Sequence, residues 1–116
     1  MKILEMSREF TDVEQYLMTL SPAIESLKNV EDGTKICVDG TLLFEDTNNK
    51  GETNEIMTII TPDKQAYSCQ SATFKRSLND IRNIMGEKKF TVIKTSGVTK
   101  NGRDFINCIL DVESLM

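Results

Sequence analysis

The sequence predicts a mainly β domain with one long helix set among its strands, on three observations. Apolar and polar residues alternate over residues 34–45, a β-branched run follows at 55–61, and a helical stripe at 71–85 separates these from two further strand-like stretches. The chain has 116 residues, 39% of them hydrophobic and 28% charged, which suits one domain with an ordinary core and leaves no room for a second.

Residues 1–30 stand apart from this pattern as an N-terminal extension. Thr11-x-x-Glu14 has the form of a capping box, Val13, Tyr16, Leu17 and Leu20 supply the apolar positions of a short helix, and Pro22 ends it. In the strand at 34–45, Ile36, Val38, Leu42 and Phe44 share one side, with Lys35, Asp39, Thr41 and Glu45 on the other. Gly40 inside it marks a bulge or bend of the kind that lets a long strand take part in closing a small barrel. Residues 46–54 form a loop, 55–61 a second strand, Thr61-Pro62-Asp63-Lys64 a tight turn, and 65–69 a short third strand.

Phe74, Leu78, Ile81 and Met85 then fall at i, i+4, i+7 and i+11, one stripe of an amphipathic helix that Ser71 or Thr73 can cap and Gly86 can end. Strands at 90–98 and 103–112 flank Asn101-Gly102, a strong hairpin signal. Phe44 and Phe90 belong to the core face of their strands. Three strands, a helix and two strands is the order of a five-stranded Greek-key barrel of oligonucleotide-binding type, here spanning residues 31–112.

Composition excludes much chemistry. No histidine is present, which removes the commonest general base and the usual triads. Cys37, Cys69 and Cys108 are widely spaced and odd in number, so they read as small core residues of a protein in a reducing cytoplasm. Residues 2–9 are charged throughout, and the expectation is a chain with no signal peptide and no membrane span. Asp46-x-Asn48-x-Lys50-Gly51 resembles half a calcium loop, but Met57 stands where the closing glutamate belongs. Gly97 and Gly102 have phosphate-loop spacing but join two strands. Pro62-Asp63 with Glu87-Lys88-Lys89 imitates a nuclease signature in which Glu87 falls in a loop after the helix stop. No enzyme, metal or cofactor is expected.

Charge is unevenly shared: residues 1–60 hold 5 Lys+Arg against 12 Asp+Glu, and residues 61–116 hold 9 against 6. In the basic half, Lys94, Lys100 and Arg103 bracket the last hairpin. Arg103, Phe105 and Asn107 share one strand face, opposite the apolar Ile106, Cys108 and Leu110. Cations for phosphates and aromatic faces for bases are what sequence-tolerant single-strand binding requires. Tyr67 is a second stacking candidate, and Lys35 lies on the polar face of its strand within reach of backbone phosphate.

Four segments together resemble the small phage-encoded single-stranded DNA-binding proteins. They are Leu27-Lys28-Asn29-Val30-Glu31-Asp32-Gly33-Thr34, Ile60-Thr61-Pro62-Asp63-Lys64-Gln65-Ala66-Tyr67-Ser68, the helix with Phe74, and Thr99-Lys100-Asn101-Gly102-Arg103-Asp104-Phe105-Ile106-Asn107. The resemblance implies an oligonucleotide-binding fold that coats template strands during phage DNA replication. It further implies work in the cytoplasm of the infected bacterial host beside replication proteins; the N-terminal segment is expected either to recruit such partners or to mediate self-association, and the net negative charge makes binding depend on neighbouring copies along the strand. Unlike the cellular relatives, the chain has neither a glycine-rich linker nor an acidic tip ending in phenylalanine. The competing expectation is a phage protein-interaction module that binds a host factor through the acidic N-terminal half.

Overall fold

The computed structural model describes residues 1–86 and 88–115. The fold is mainly β, with two helices and two open sheets. Its strands are β1 (Lys2–Met6), β2 (Glu25–Ser26), β3 (Lys35–Val38), β4 (Gly40–Thr47), β5 (Thr53–Ile60), β6 (Ala66–Cys69), β7 (Phe90–Val98) and β8 (Asp104–Leu110). Helix α1 covers Asp12–Thr19 and α2 Ala72–Met85, with short 3-10 turns at Leu27–Asn29 and Val112–Leu115. One sheet has the order β1-β4-β5-β6-β2, the other β3-β7-β8. No described helix is long and apolar enough to cross a membrane.

The strand expected at 34–45 is two strands that meet at Asp39, and each half belongs to a different sheet. The break also changes which residues face which core. Ile36 and Val38 join the main core between the sheets, with Met57, Ile59, Phe74, Leu78, Phe90, Val92 and Cys108. Leu42 and Phe44 point instead into a second core on the far side of the five-stranded sheet, with Phe10, Met18 and Ile60. Even spacing in sequence does not survive a kink, because a kink resets which side alternate residues face. The Phe10 ring fills the space beside Gly40: a Cβ there would lie 2.6 Å from two ring carbons, so only glycine fits.

The N-terminal extension differs from expectation in two ways. Residues 2–6 form a strand on the edge of the larger sheet, paired with β4 from Lys2 against Glu45 to Met6 against Leu42. The capping box is present, with the Thr11 hydroxyl accepting from the Glu14 N–H at 3.2 Å and the Thr11 N–H donating to Glu14 Oε1 at 3.0 Å. The buried face of α1, however, holds Glu14 and Met18, while Val13, Tyr16 and Leu20 are exposed. A buried carboxylate is tolerated there because Arg8 and Lys64 reach Glu14 Oε2 at 3.0 and 2.8 Å.

Three reversals of the chain use one turn geometry. In Asn48–Gly51, Thr61–Lys64 and Thr99–Gly102 the fourth N–H donates to the first carbonyl, at 3.0, 3.0 and 2.9 Å, and the fourth residue has positive φ. This is a type I turn closed by a left-handed residue, usually glycine. Lys64 takes that place in the second turn with φ 70°, a conformation that costs a side chain about 1 kcal/mol. Its ion pair with Glu14 offsets the cost. Helix α2 follows the sequence expectation: Ser71 caps it, accepting from the Phe74 N–H at 3.1 Å, and Gly86 ends it with φ 67°.

Two outcomes follow. Arg8 first, then Lys64 and the Thr11 N–H, hold the Glu14 carboxyl well below the usual carboxylate range in the folded chain. Its contribution is therefore complete above the unfolded value of about 4.3 and drains away as pH falls below it. Melting temperatures from pH 7 to 3 should show Glu14→Gln less stable by about 1–3 kcal/mol at pH 7, with the gap to the unaltered chain closing in acid. At the second turn, Lys64→Ala keeps the left-handed strain and loses the ion pair, whereas Lys64→Gly loses both. Denaturant titration should rank Lys64→Gly about 1 kcal/mol above Lys64→Ala.

Candidate nucleic-acid interface

Hairpin β7–β8 carries most of the residues singled out in the sequence. Its register sets Lys94 against Cys108, Thr95 against Asn107, Ser96 against Ile106 and Gly97 against Phe105, while β3 places Lys35 beside Ile93. Strand pleating then gives the smaller sheet two distinct faces. The inner face holds Val92, Lys94, Ile106 and Cys108, and the outer face gathers Lys35, Ile93, Thr95, Phe105, Asn107 and Ile109. Strand β7 adds Ile93 and Thr95 to the face that Phe105, Asn107 and Ile109 share on β8, and no sequence pattern announces which strands lie side by side.

Phe105 is half-buried, and its ring covers Gly97 on the neighbouring strand, where a Cβ would meet the ring at 2.6 Å. The glycine gives the ring a flat backbone bed and holds it at the sheet surface. Lys100 and Arg103 are exposed in the hairpin turn and carry no ion pair among the described residues. Asn107 is half-buried, and its side-chain oxygen accepts from the Cys108 N–H at 2.9 Å. Lys35 is exposed, with its ammonium 3.3 Å from the buried carboxylate of Asp111.

Two candidates are placed differently. Lys94 is 4% exposed on the inner face, and its ammonium donates to Asp32 Oδ1 at 2.8 Å. Tyr67 belongs to the other sheet, beside Ile59 and Glu25, and packs against the main core. Burial first, then Glu25 and Asp63, push its phenol above the ordinary value.

Strands β6 and β8 belong to different sheets, and across the seam between them the hydroxyl of Ser71, two residues after β6, donates to the Ile106 carbonyl of β8 at 3.2 Å. Beside this seam lies a groove of 1130 Å³. Phe105 and Lys94 line it from the hairpin, Lys28 and Asn29 from the first 3-10 turn, and Ser68 and Gln70 from β6 and the residue after it. These polar residues come from separate parts of the chain, and only folding assembles them. Cys69 also lines the groove, but burial pushes its thiol up to about 11 and that of Cys108 up to about 12, so neither is a ready nucleophile near neutral pH.

The described nuclease-like residues have other partners. Asp63 accepts from the Thr61 hydroxyl within its own turn, Lys89 pairs with Asp39 at 3.4 Å, and Glu87 lies outside the described residues. Among the described residues no group of His, Cys, Asp and Glu is placed to hold a metal ion. No protein-family model, curated protein or solved structure matches this chain.

The bed of Phe105 is open to test. Gly97→Ala should force the ring off the sheet and cost about 1–2 kcal/mol in chemical denaturation. The Phe105 ring-proton NMR signals should shift with it, and unchanged signals would place the ring elsewhere.

Proposed function

We propose that this protein binds single-stranded DNA without sequence preference and coats template strands during phage DNA replication. The observation that carries the reading is the β7–β8 hairpin, which sets a glycine-bedded aromatic ring and two exposed cations, without an ion pair among the described residues, beside an open groove. A ring held at the surface can stack on any base, and Lys100 and Arg103 can neutralise phosphates on either side of it. Strand connectivity is in keeping with an oligonucleotide-binding barrel left open along one seam. The strand broken at Asp39 gives one half to each sheet, β4-β5-β6 run as a meander, α2 follows, and β7–β8 returns to β3. On this reading the hairpin tip and the groove form the ligand side, and binding is stronger where neighbouring copies share a strand.

A second reading has its own support. Val13, Tyr16 and Leu20 lie 67%, 50% and 61% exposed at helical spacing on α1, within the acidic half of the chain. That face suits a protein partner such as a host factor.

Fluorescence anisotropy of labelled oligo-dT across a salt series, with duplex DNA as control, separates the two. Saturable single-strand binding should weaken linearly with log salt. Phe105→Ala should weaken it by roughly 1–3 kcal/mol, and Lys100→Gln and Arg103→Gln should each lower the salt slope by about 0.7. No binding at low salt would hand the function to the α1 face.

A further inference from the structure

Lys94 is the candidate cation that the fold has buried, and its partner is unequally placed. Its side chain is 5% exposed, whereas that of Asp32 is 55% exposed. The Asp32 carboxylate accepts from the Lys94 ammonium at 2.8 Å and from the Ser96 hydroxyl. Backbone bonds hold the turn at 31–34 in position: the Gly33 N–H donates to the Lys94 carbonyl at 2.8 Å, and the Lys94 N–H to the Thr34 carbonyl at 2.9 Å. If the pair separates, the carboxylate swings into water at little cost. The ammonium is fixed on the inner face of β7 and needs another anion.

Both donors, Lys94 and Ser96, line the 1130 Å³ groove, and so does Lys28, which has no ion pair among the described residues. A carboxylate bound by one ammonium and one hydroxyl presents two oxygens to the donors, as a phosphate diester does. We propose that Lys94 and Ser96 form a phosphate subsite which Asp32 fills in the free protein, and that a backbone phosphate of a bound strand takes the place of the Asp32 carboxylate. The inference rests on the single-strand reading above and adds to it a built-in competitor. Asp32 keeps the subsite closed to stray monovalent anions. A strand anchored by Lys100, Arg103 and Phe105 presents phosphate at high local concentration and displaces it. Lys94 then serves the bound state as a cation and the free state as a buried, neutralised one.

The test uses the full chain. Asp32→Asn should bind oligo-dT about tenfold more tightly, with a salt slope steeper by about 0.7, and Asp32→Asn with Lys94→Gln should lose both gains. Equal binding by the single and double variants overturns the proposal. Independently of whether Asp32→Asn folds, the unaltered chain can be titrated with pyrophosphate and with oligo-dT while the Lys94 side-chain NMR signals are followed. Movement with both probes supports the subsite. Movement with pyrophosphate and no binding of oligo-dT supports the anion subsite and retires the single-strand reading. Oligo-dT binding with still Lys94 signals keeps that reading and overturns the subsite.

Discussion

The kink at Asp39 and Gly40 is the constraint on which the rest of the structure depends. One continuous stretch of chain must leave the three-stranded sheet and join the five-stranded one within a single residue. Groups from remote segments hold it there. The Asp39 N–H donates to the Ile60 carbonyl at 2.9 Å, Arg8 bonds the Asp39 carbonyl and carboxylate, and Lys89 reaches the other carboxylate oxygen. Next to it, Thr41 exchanges bonds with Ser7 and accepts from Arg82 of α2 at 2.9 Å. The N-terminal layer, the helix and both sheets thus converge on a few atoms, with Phe10 seated on Gly40 and Arg8 lying 4.4 Å over its ring.

A consequence of the kink is a sheet buried on both faces. On β5, Met57, Thr58, Ile59 and Ile60 are all 4% exposed or less, which a sheet with one solvated face would not allow. Met57 and Ile59 meet the main core, and Ile60 meets the second core under α1. The N-terminal segment is therefore part of the folded core and not an appendage. It buries Met18 and Phe10 while leaving Val13, Tyr16 and Leu20 outside.

Two buried charges show how the fold assigns opposite duties to similar chemistry. Glu14 is held by cations from two separate segments, Arg8 before α1 and Lys64 in the β5–β6 turn, and so ties the helix to the larger sheet. Lys94 is equally buried but has a single carboxylate partner, on an exposed turn. The first arrangement holds because two cations share the one buried carboxylate, so separation of either leaves the other in place. The second can exchange, because one partner is free to return to water.

The sequence by itself determined the elements whose signals are local. These are the capping box at Thr11, the Phe74–Leu78 stripe of α2 with Ser71 and Gly86 at its ends, the turn at Asn101-Gly102, and the inward face of Ile106, Cys108 and Leu110. Each rests on residues within a few positions of one another, where backbone periodicity alone sets the geometry. Tertiary structure decided the rest. It turned Leu42 and Phe44 away from Ile36 and Val38, inverted the buried face of α1 toward Glu14, set Tyr67 and Phe105 in different sheets and buried Lys94. It also assembled the groove from the hairpin, the 3-10 turn and β6. For the two buried charges a deciding partner stands far away in the chain: Lys64, which joins nearby Arg8 on Glu14, and Asp32 for Lys94. An ion pair between remote residues reverses what local hydrophobicity predicts and leaves no periodic trace in the sequence.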